Sequence, residues 1–280
     1  MKSRIYSPGW DDYELMDLGG GEKLERWGNT ITIRPDINAY FKPVLSKTEW
    51  LKQADFHFIE EKKTFGTWKC LTKKPAHWTI QFQEFTLNLS LKDTKHTGVF
   101  PEQRSNWDRI KSFITPDKNF LNLFAYTGAS SLIARAQGAE VIHVDSSKSA
   151  LTRANENLES NGLTGCKLVF EDAMLFMQRE IKRKHQYDII QMDPPAWGIG
   201  TQGKKWQLEN HIDELIHSAS QLLREGGMLI VSTYSPKLSA QTLQEIAEFV
   251  FPFKSVQTGI LCTKSTTGKT LEHGNLLLVS

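Results

Sequence analysis

The chain has 280 residues and a formal net charge of +2, which allows one large domain or two modest ones and does not by itself indicate a nucleic-acid partner. It contains no run of about 18 apolar residues and no basic-then-apolar leader, so we expect neither a membrane span nor a secretory signal. Cys70, Cys166 and Cys262 lack metal-ligand spacing, which predicts reduced thiols in a cytoplasmic protein and no metal site.

The first 95 residues have the pattern of a small β-rich domain. Short alternating stretches at 29–34, 78–82 and 87–89 predict strands, and Gly19-Gly20-Gly21 predicts a turn between strands. Aromatic residues in this region could stack nucleic-acid bases, but packing in a core is the favoured interpretation because large rings bury extensive apolar area. The tryptophans in question are Trp10, Trp27, Trp50, Trp68 and Trp78.

From residue 96 to 280 the pattern changes to apolar strands that alternate with segments of helical period. The predicted helices cover 147–161, 173–184 and 209–224. Strands that alternate with helices favour an α/β fold in which a parallel sheet is doubly wound. We therefore predict two domains, a β-rich one over 1–95 and a Rossmann-like one over 96–280.

Three successive strand ends carry residues suited to a nucleoside-containing ligand. The run from 120 reaches Thr127-Gly128 and then a helix start, whose free amides favour electron-rich groups. The next apolar run ends at Asp145, where a carboxylate could accept hydrogen bonds from a ribose diol. Another ends near Asp172, which could meet an adenine amine. The G-x-G-x-x-G pattern is absent, so a dinucleotide site is not supported.

The segment Asp193-Pro194-Pro195-Ala196-Trp197 directly follows a fourth apolar run. Two prolines cannot continue a sheet ladder, so the strand should stop there and present a carboxylate and an aromatic ring at its carboxyl end. Ligands of open α/β sheets bind at that edge. An ordinary turn capped by Asp193 is the alternative.

These motifs together resemble class I S-adenosylmethionine-dependent methyltransferases, and most closely the bacterial 23S ribosomal RNA group that methylates cytosine carbon-5 or guanine nitrogen-7. The similarity rests on 122–128, 144–147 and 192–195, and the segment 96–104 is similar to the one that precedes the catalytic domain in that group. It implies S-adenosylmethionine as cofactor and RNA as partner, with ribosomal RNA favoured. The cofactor-binding residues that it implies are Phe100, Gln103, Phe124, Tyr126, Thr127, Gly128, Asp145, Ser146, Asp172 and Asp193.

Carbon-5 methylation of a pyrimidine requires a cysteine nucleophile, yet no cysteine stands in 193–197 or 227–236. A nitrogen lone pair needs no covalent step, because it can attack the methyl group directly once it is aligned. The predicted catalytic residues are Asp193, Pro194 and Pro195, and the predicted substrate-binding residues are Trp197, Lys204, Lys205 and Trp206.

The sequence thus predicts an enzyme that methylates an RNA base by direct transfer. Two alternatives stay open. One is a methyltransferase for a small molecule or a protein, and the other is an inert RNA-binding protein that retains the fold. For Lys204, Lys205 and Trp206, a solvated loop with a packed indole is as compatible with the pattern as a nucleotide contact.

Overall fold

The computed structural model describes residues 3–62, 65–92, 94–199 and 205–280. Its strands in chain order are β1 (Arg4–Tyr6), β2 (Tyr13–Gly19), β3 (Glu22–Trp27), β4 (Thr30–Pro35), β5 (Phe56–Lys62), β6 (Phe65–Cys70), β7 (His77–Phe82), β8 (Phe85–Ser90), β9 (Asn119–Leu123), β10 (Glu140–Asp145), β11 (Cys166–Phe170), β12 (Tyr187–Met192), β13 (Trp197–Ile199), β14 (Lys205–Gln207), β15 (Leu223–Thr233), β16 (Val256–Lys264) and β17 (Thr270–Val279). The helices are α1 (Lys47–Gln53), α2 (Arg104–Phe113), α3 (Ala129–Ala136), α4 (Lys148–Ser160), α5 (Ala173–Lys182), α6 (Ile212–Leu222) and α7 (Ala240–Val250).

The chain divides into two compact units. The N-terminal unit comprises Tyr6–Arg104 and Cys262–His273, and the C-terminal unit comprises Met1–Ile5, Ser105–Leu261 and Gly274–Ser280.

This division differs from the predicted boundary at 95/96 for a physical reason. The segment 96–104 is bonded to the N-terminal unit, since Ser90 N donates to Thr97 O at 2.9 Å and Ser7 Oγ donates to Pro101 O at 3.0 Å. The segment 262–273 also belongs there, because Thr266 N donates to Leu15 O at 2.9 Å. Contacts between residues far apart in sequence are not visible in local patterning.

The N-terminal unit is β-rich, as predicted. Its five-stranded sheet has the order β2-β3-β4-β5-β6, in which only the pair β4 and β5 is parallel, and β7 and β8 form a separate hairpin. Trp27 and Trp50 are buried among the apolar side chains. Burying an indole is favourable because it removes a large apolar area from water. The packing interpretation is confirmed for these two tryptophans.

The C-terminal unit contains an eight-stranded sheet of order β1-β16-β17-β15-β12-β9-β10-β11. Strands β15, β12, β9, β10 and β11 run parallel, and β17 is antiparallel to β15. The central strands bury nearly every side chain because helices cover both faces of such a sheet. This architecture confirms the predicted doubly wound α/β fold.

Candidate functional site

The order of the strands reverses between β9 and β12, which are adjacent although β10 and β11 lie between them in sequence. Ligands of open parallel sheets bind beside the carboxyl ends of the strands at such a point. Leu123, the last residue of β9, pairs with Met192 of β12, and the Asp193 amide donates to the Leu123 carbonyl at 3.4 Å. Asp193 therefore lies just after the end of β12, beside the start of the β9–α3 turn, which comprises residues 124–128.

The β9–α3 turn has an unusual backbone. Phe124 and Tyr126 have φ of 55° and 52°, and Gly128 has φ of 80°. A positive φ is sterically costly for residues other than glycine, and such residues persist where the surroundings hold them. The Tyr126 amide donates to Asp145 Oδ2 at 2.8 Å. The end of β10 thus fixes the turn that follows β9.

Helix α4 fixes the other half of the turn. Asn157 is buried, and its Nδ2 donates to the Thr127 carbonyl at 2.8 Å. Arg153 Nη1 donates to the Tyr126 hydroxyl at 3.3 Å. Two side chains from α4 therefore restrain a turn that has little regular structure of its own.

Gly128 is needed for packing rather than only for ligand access. A Cβ there would lie 3.1 Å from His143 Cε1 and 3.2 Å from the Ala154 Cβ. His143 Nδ1 lies 3.0 Å from Ser131 Oγ, which accepts a hydrogen bond from Asn122 Nδ2 at 2.9 Å. Burial lowers the pKa of His143 to about 4, so the imidazole beneath the turn is neutral at physiological pH.

Asp145 has the geometry of a receptor for a diol. Its Oδ2 accepts the Tyr126 amide and its Oδ1 accepts the Ser147 amide, each at 2.8 Å. A carboxylate has about four acceptor positions, so one bond to each oxygen leaves capacity for two ribose hydroxyls. Burial raises the pKa of Asp145 above its ordinary value. The residues at this edge fit the nucleoside part of S-adenosylmethionine.

The other predicted cofactor residues occupy different settings. Asp172 caps α5, since its Oδ1 accepts the Met174 amide at 3.0 Å. Ser146 is exposed between β10 and α4. Phe100 and Gln103 belong to the N-terminal unit, around the short 3-10 helix Pro101–Gln103. Their cofactor-binding roles stay predictions.

The residues after the two prolines form a hairpin that was not predicted. Strands β13 and β14 pair antiparallel, with Trp197 opposite Gln207 and Gly198 opposite Trp206. Side chains alternate along a strand, so Trp197 and Trp206 project from opposite faces of the hairpin. Trp197 is 59% exposed, and its role in binding the substrate stays a prediction.

Trp206 is held by three neighbours. Its Nε1 donates to the Pro195 carbonyl at 2.7 Å. Its ring stacks on His211 with centroids 4.6 Å apart and an interplanar angle of 11°, and contacts Phe124 at 5.6 Å. These contacts match the packed-indole interpretation of Trp206, and its substrate role stays a prediction.

The predicted lysines after the motif are described only in part. Lys204 lies outside the described residues. Lys205 is exposed on β14 opposite Ile199, and therefore on the same face of the hairpin as Trp197. Positive charge and an exposed indole thus share one surface.

Sequence reasoning missed the supports of the site. His143, Arg153 and Asn157 were given no role in the site, although each contacts the β9–α3 turn or the residues beneath it. A helix-period pattern identifies the buried face of α4 but does not reveal which turn its polar side chains reach.

Within the described ranges, no group of three or more His, Cys, Asp or Glu side chains is arranged to hold a metal ion. A helix both long and apolar enough to cross a bilayer is likewise missing from the described part of the chain.

Comparison with known proteins identifies the family. Residues 57–253 match the family described as S-adenosylmethionine-dependent methyltransferase. The crystal structure of the SAM-dependent methyltransferase from Agrobacterium tumefaciens has 32% sequence identity and a TM-score of 0.93, and the match covers 99% of this chain and 93% of that one. The crystal structure of SMU.776 in complex with SAH shares the fold, with 19% identity, a TM-score of 0.75, and coverage of 93% of this chain and 72% of that chain.

The ribosomal RNA large subunit methyltransferase K/L of Alcanivorax borkumensis is 31% identical over 184 residues, which are 65% of this chain and 26% of that protein. The enzyme of the same name from Vibrio campbellii is 31% identical over 158 residues, which are 55% of this chain and 22% of that protein. The chain thus spans about a quarter of the length of these relatives. The family match and the Agrobacterium structure together show that the chain belongs to the S-adenosylmethionine-dependent methyltransferases.

Proposed function

We propose that this methyltransferase acts on a base of RNA, with ribosomal RNA as the favoured substrate, and that it transfers the methyl group directly to a nitrogen atom. The observation that carries the proposal is the placement of the Asp193–Trp197 segment directly beside the β9–α3 turn. The names of the ribosomal RNA methyltransferase relatives support RNA as the substrate class.

S-adenosylmethionine supplies a methyl group on a sulfonium, which a nitrogen lone pair can attack. Asp193 and the Pro194 carbonyl would accept hydrogen bonds from the amine of the base, and Trp197 would stack on the ring. Fixing a reactant in this way raises the rate through proximity and orientation. Asp193 or solvent would then take the proton that the methylated amine releases.

The cysteines support direct transfer. Burial raises the pKa of Cys166 to about 12, and Cys262 is fully buried. Cys70 is exposed on β6, in a pocket that contains none of the proposed catalytic or cofactor-binding residues. The thiolate is the reactive form of cysteine, so the two thiols of β11 and β16 are poor nucleophiles.

On the cofactor side, we propose that Asp145 binds the ribose and that the β9–α3 turn, Ser146 and Asp172 surround the rest of the nucleoside. Phe100 and Gln103 are proposed to act at the methionine end. The three cysteines, which form no disulfide, support a cytoplasmic location.

The test is methyl transfer from labelled S-adenosylmethionine to deproteinised ribosomal RNA, total protein and small metabolites. Trp197→Ala should weaken RNA binding by about 1–3 kcal/mol, the range for a lost base stack, with unchanged cofactor affinity. Phe249→Ala is the control, because Phe249 is an 87% exposed aromatic residue on α7. Label that enters protein or metabolites but not RNA would contradict the proposal.

A further inference from the structure

The N-terminal unit contains a pocket that the methyl-transfer site does not use. We propose that this pocket, lined by Trp68 and Lys92, binds an unpaired nucleotide of the RNA substrate. The inference rests on the proposed function, since it assigns part of RNA recognition to the N-terminal unit.

Positive charge is concentrated in the stretch of sequence that supplies most of the pocket lining. Residues 61–95 contain seven lysines and three acidic residues, whereas residues 1–60 contain eight basic and ten acidic residues. The net charge is therefore +4 in the first segment and −2 in the second. A concentration of lysine in a chain of total charge +2 indicates an anionic partner, and RNA carries one charge per phosphate.

The pocket lies beside β6, the edge strand of the five-stranded sheet, and next to the ends of the β7–β8 hairpin. Its volume of about 320 Å³ is at the lower end of the range for small-ligand sites, which suits one nucleotide. The lining residues include Phe56, Trp68, Cys70, Lys74, Leu91 and Lys92.

The Trp68 ring is fixed in orientation. Its Nε1 donates to the Thr94 carbonyl at 2.9 Å, and its ring meets Phe58 edge to face with centroids 5.2 Å apart. The side chain nevertheless keeps part of its surface exposed to the pocket. A rigid, partly exposed indole can stack a base without losing much conformational freedom on binding.

The two lysines that line the pocket differ in whether an acidic side chain neutralises their charge. Lys74 Nζ lies 2.8 Å from Asp55 Oδ2, so its charge is largely neutralised within the protein. Lys92 is exposed and makes no ion pair with any residue that the structure describes. We therefore assign the phosphate contact to Lys92 and treat Lys74 as a structural residue.

Cys70 provides a reporter inside the pocket. It is exposed, whereas the pKa of Cys166 is raised to about 12 and Cys262 is buried. Iodoacetamide reacts with the thiolate, so it should modify Cys70 first in the intact protein. Mass spectrometry of the alkylated peptide then measures access to the pocket.

The experiment measures Cys70 alkylation with deproteinised large-subunit ribosomal RNA or with heparin, which carries charge but no bases. RNA should slow alkylation more than heparin does at the same occupancy. An acidic peptide that protects Cys70 where RNA does not would assign the pocket to a protein partner and overturn the inference.

The variants are Trp68→Phe, Trp68→Ala, Lys92→Ala and, as a control, Lys73→Ala. Lys73 is exposed next to Lys74 in the sequence but does not line the pocket. Lys73→Ala therefore changes the net charge by the same amount as Lys92→Ala without altering the pocket. Trp68→Ala should weaken RNA affinity at least ~5-fold. Lys92→Ala should lower the salt dependence of binding by about one unit of slope, and Lys73→Ala by less. Trp68→Phe and Lys92→Ala keep the test valid if Trp68→Ala fails to fold.

Methyl transfer is followed in the same samples to separate the two proposals. If RNA is methylated, Cys70 is not protected and Lys92→Ala binds RNA as tightly as the parent, the assignment of the pocket to RNA is wrong. The proposed function would still stand. Protection of Cys70 without methylation of RNA would support the pocket and contradict the proposed function. A parent protein that binds no RNA would contradict both.

Discussion

The Trp206 indole donates its Nε1 hydrogen to the carbonyl oxygen of Pro195 at 2.7 Å. This bond connects β14 to the proline turn that presents Asp193. The same ring contacts Phe124, the first residue of the β9–α3 turn, at 5.6 Å. Trp206 thus links the proline segment, the proposed acceptor side, to the β9–α3 turn, the proposed cofactor side, and we interpret it as a positioning residue.

Trp206→Phe should therefore slow methyl transfer without changing cofactor affinity. The phenyl ring can still pack against His211, but the bond to Pro195 is lost, and such bonds contribute roughly 0.5–1.5 kcal/mol. We expect a decrease of about fivefold in the single-turnover rate. Trp78→Phe is the matched control, because Trp78 Nε1 also donates to a main-chain carbonyl, that of Trp27, at 3.1 Å. Equal rates for the parent and Trp206→Phe would show that the bond does not align the acceptor.

Gly128→Ala should destabilise the protein and weaken cofactor binding. The substitution places an L-residue at φ 80° and a Cβ within 3.2 Å of His143 and Ala154. The backbone conformation alone costs about 1–2 kcal/mol, and the close contacts add to it.

Gly162→Ala isolates the backbone cost, because Gly162 has φ 64° and no atom within 4 Å of the added Cβ. Urea unfolding and calorimetric titration of S-adenosylmethionine should show a larger loss of stability for Gly128→Ala, and a loss of affinity for that variant alone. Equal effects of the two substitutions would mean that packing under the turn is unimportant.

The fold and the strand-end residues could be predicted because they depend on local patterning. Apolar runs that alternate with helical segments determine a parallel sheet, and the acids after those runs must lie at one edge. The ends of β10 and β12 at Asp145 and Met192 agree with this reasoning.

The β13–β14 hairpin could not be predicted in the same way. Its strands have three residues each, too few for an alternating pattern to be recognised. The unit boundary depends on pairing across about 250 residues, as in the bond from Thr266 to Leu15. The burial of His143 likewise depends on which helix covers β10, and local sequence does not specify that.

Cofactor affinity should fall at acidic pH through Asp145. A raised pKa means that the folded protein prefers the protonated carboxyl more than the unfolded chain does. Stability from this group therefore rises as pH falls through the folded pKa, whereas protonation removes an acceptor for the ribose and weakens binding. Acidic pH therefore raises the contribution of Asp145 to the stability of the folded protein but lowers the affinity for the cofactor.

Calorimetric titration of S-adenosylmethionine at a series of acidic to neutral pH values should show weaker binding to the parent at low pH. The midpoint of this loss of affinity should lie above the usual aspartate pKa. Asp145→Asn should bind more weakly at neutral pH and lose this pH dependence. Asp188→Asn is the comparison, because Asp188 Oδ2 also accepts a main-chain amide, that of Asn119 at 2.8 Å, and Asp188 has no proposed role in cofactor binding. A parent affinity that does not vary with pH would exclude the Asp145 carboxylate as the ribose acceptor.

Replacing all three cysteines should leave methyl transfer measurable if transfer is direct. A variant with Cys70→Ser, Cys166→Ala and Cys262→Ala contains no thiol, so no covalent adduct with a base can form. We expect a loss of stability of about 1 kcal/mol, because Cys262 is buried and packs as a small apolar group. The single-turnover rate at a temperature where the variant is folded should match that of the parent.

A variant that folds and binds S-adenosylmethionine but transfers no methyl group would establish a cysteine nucleophile. Restoring Cys70, Cys166 and Cys262 one at a time would then identify the residue.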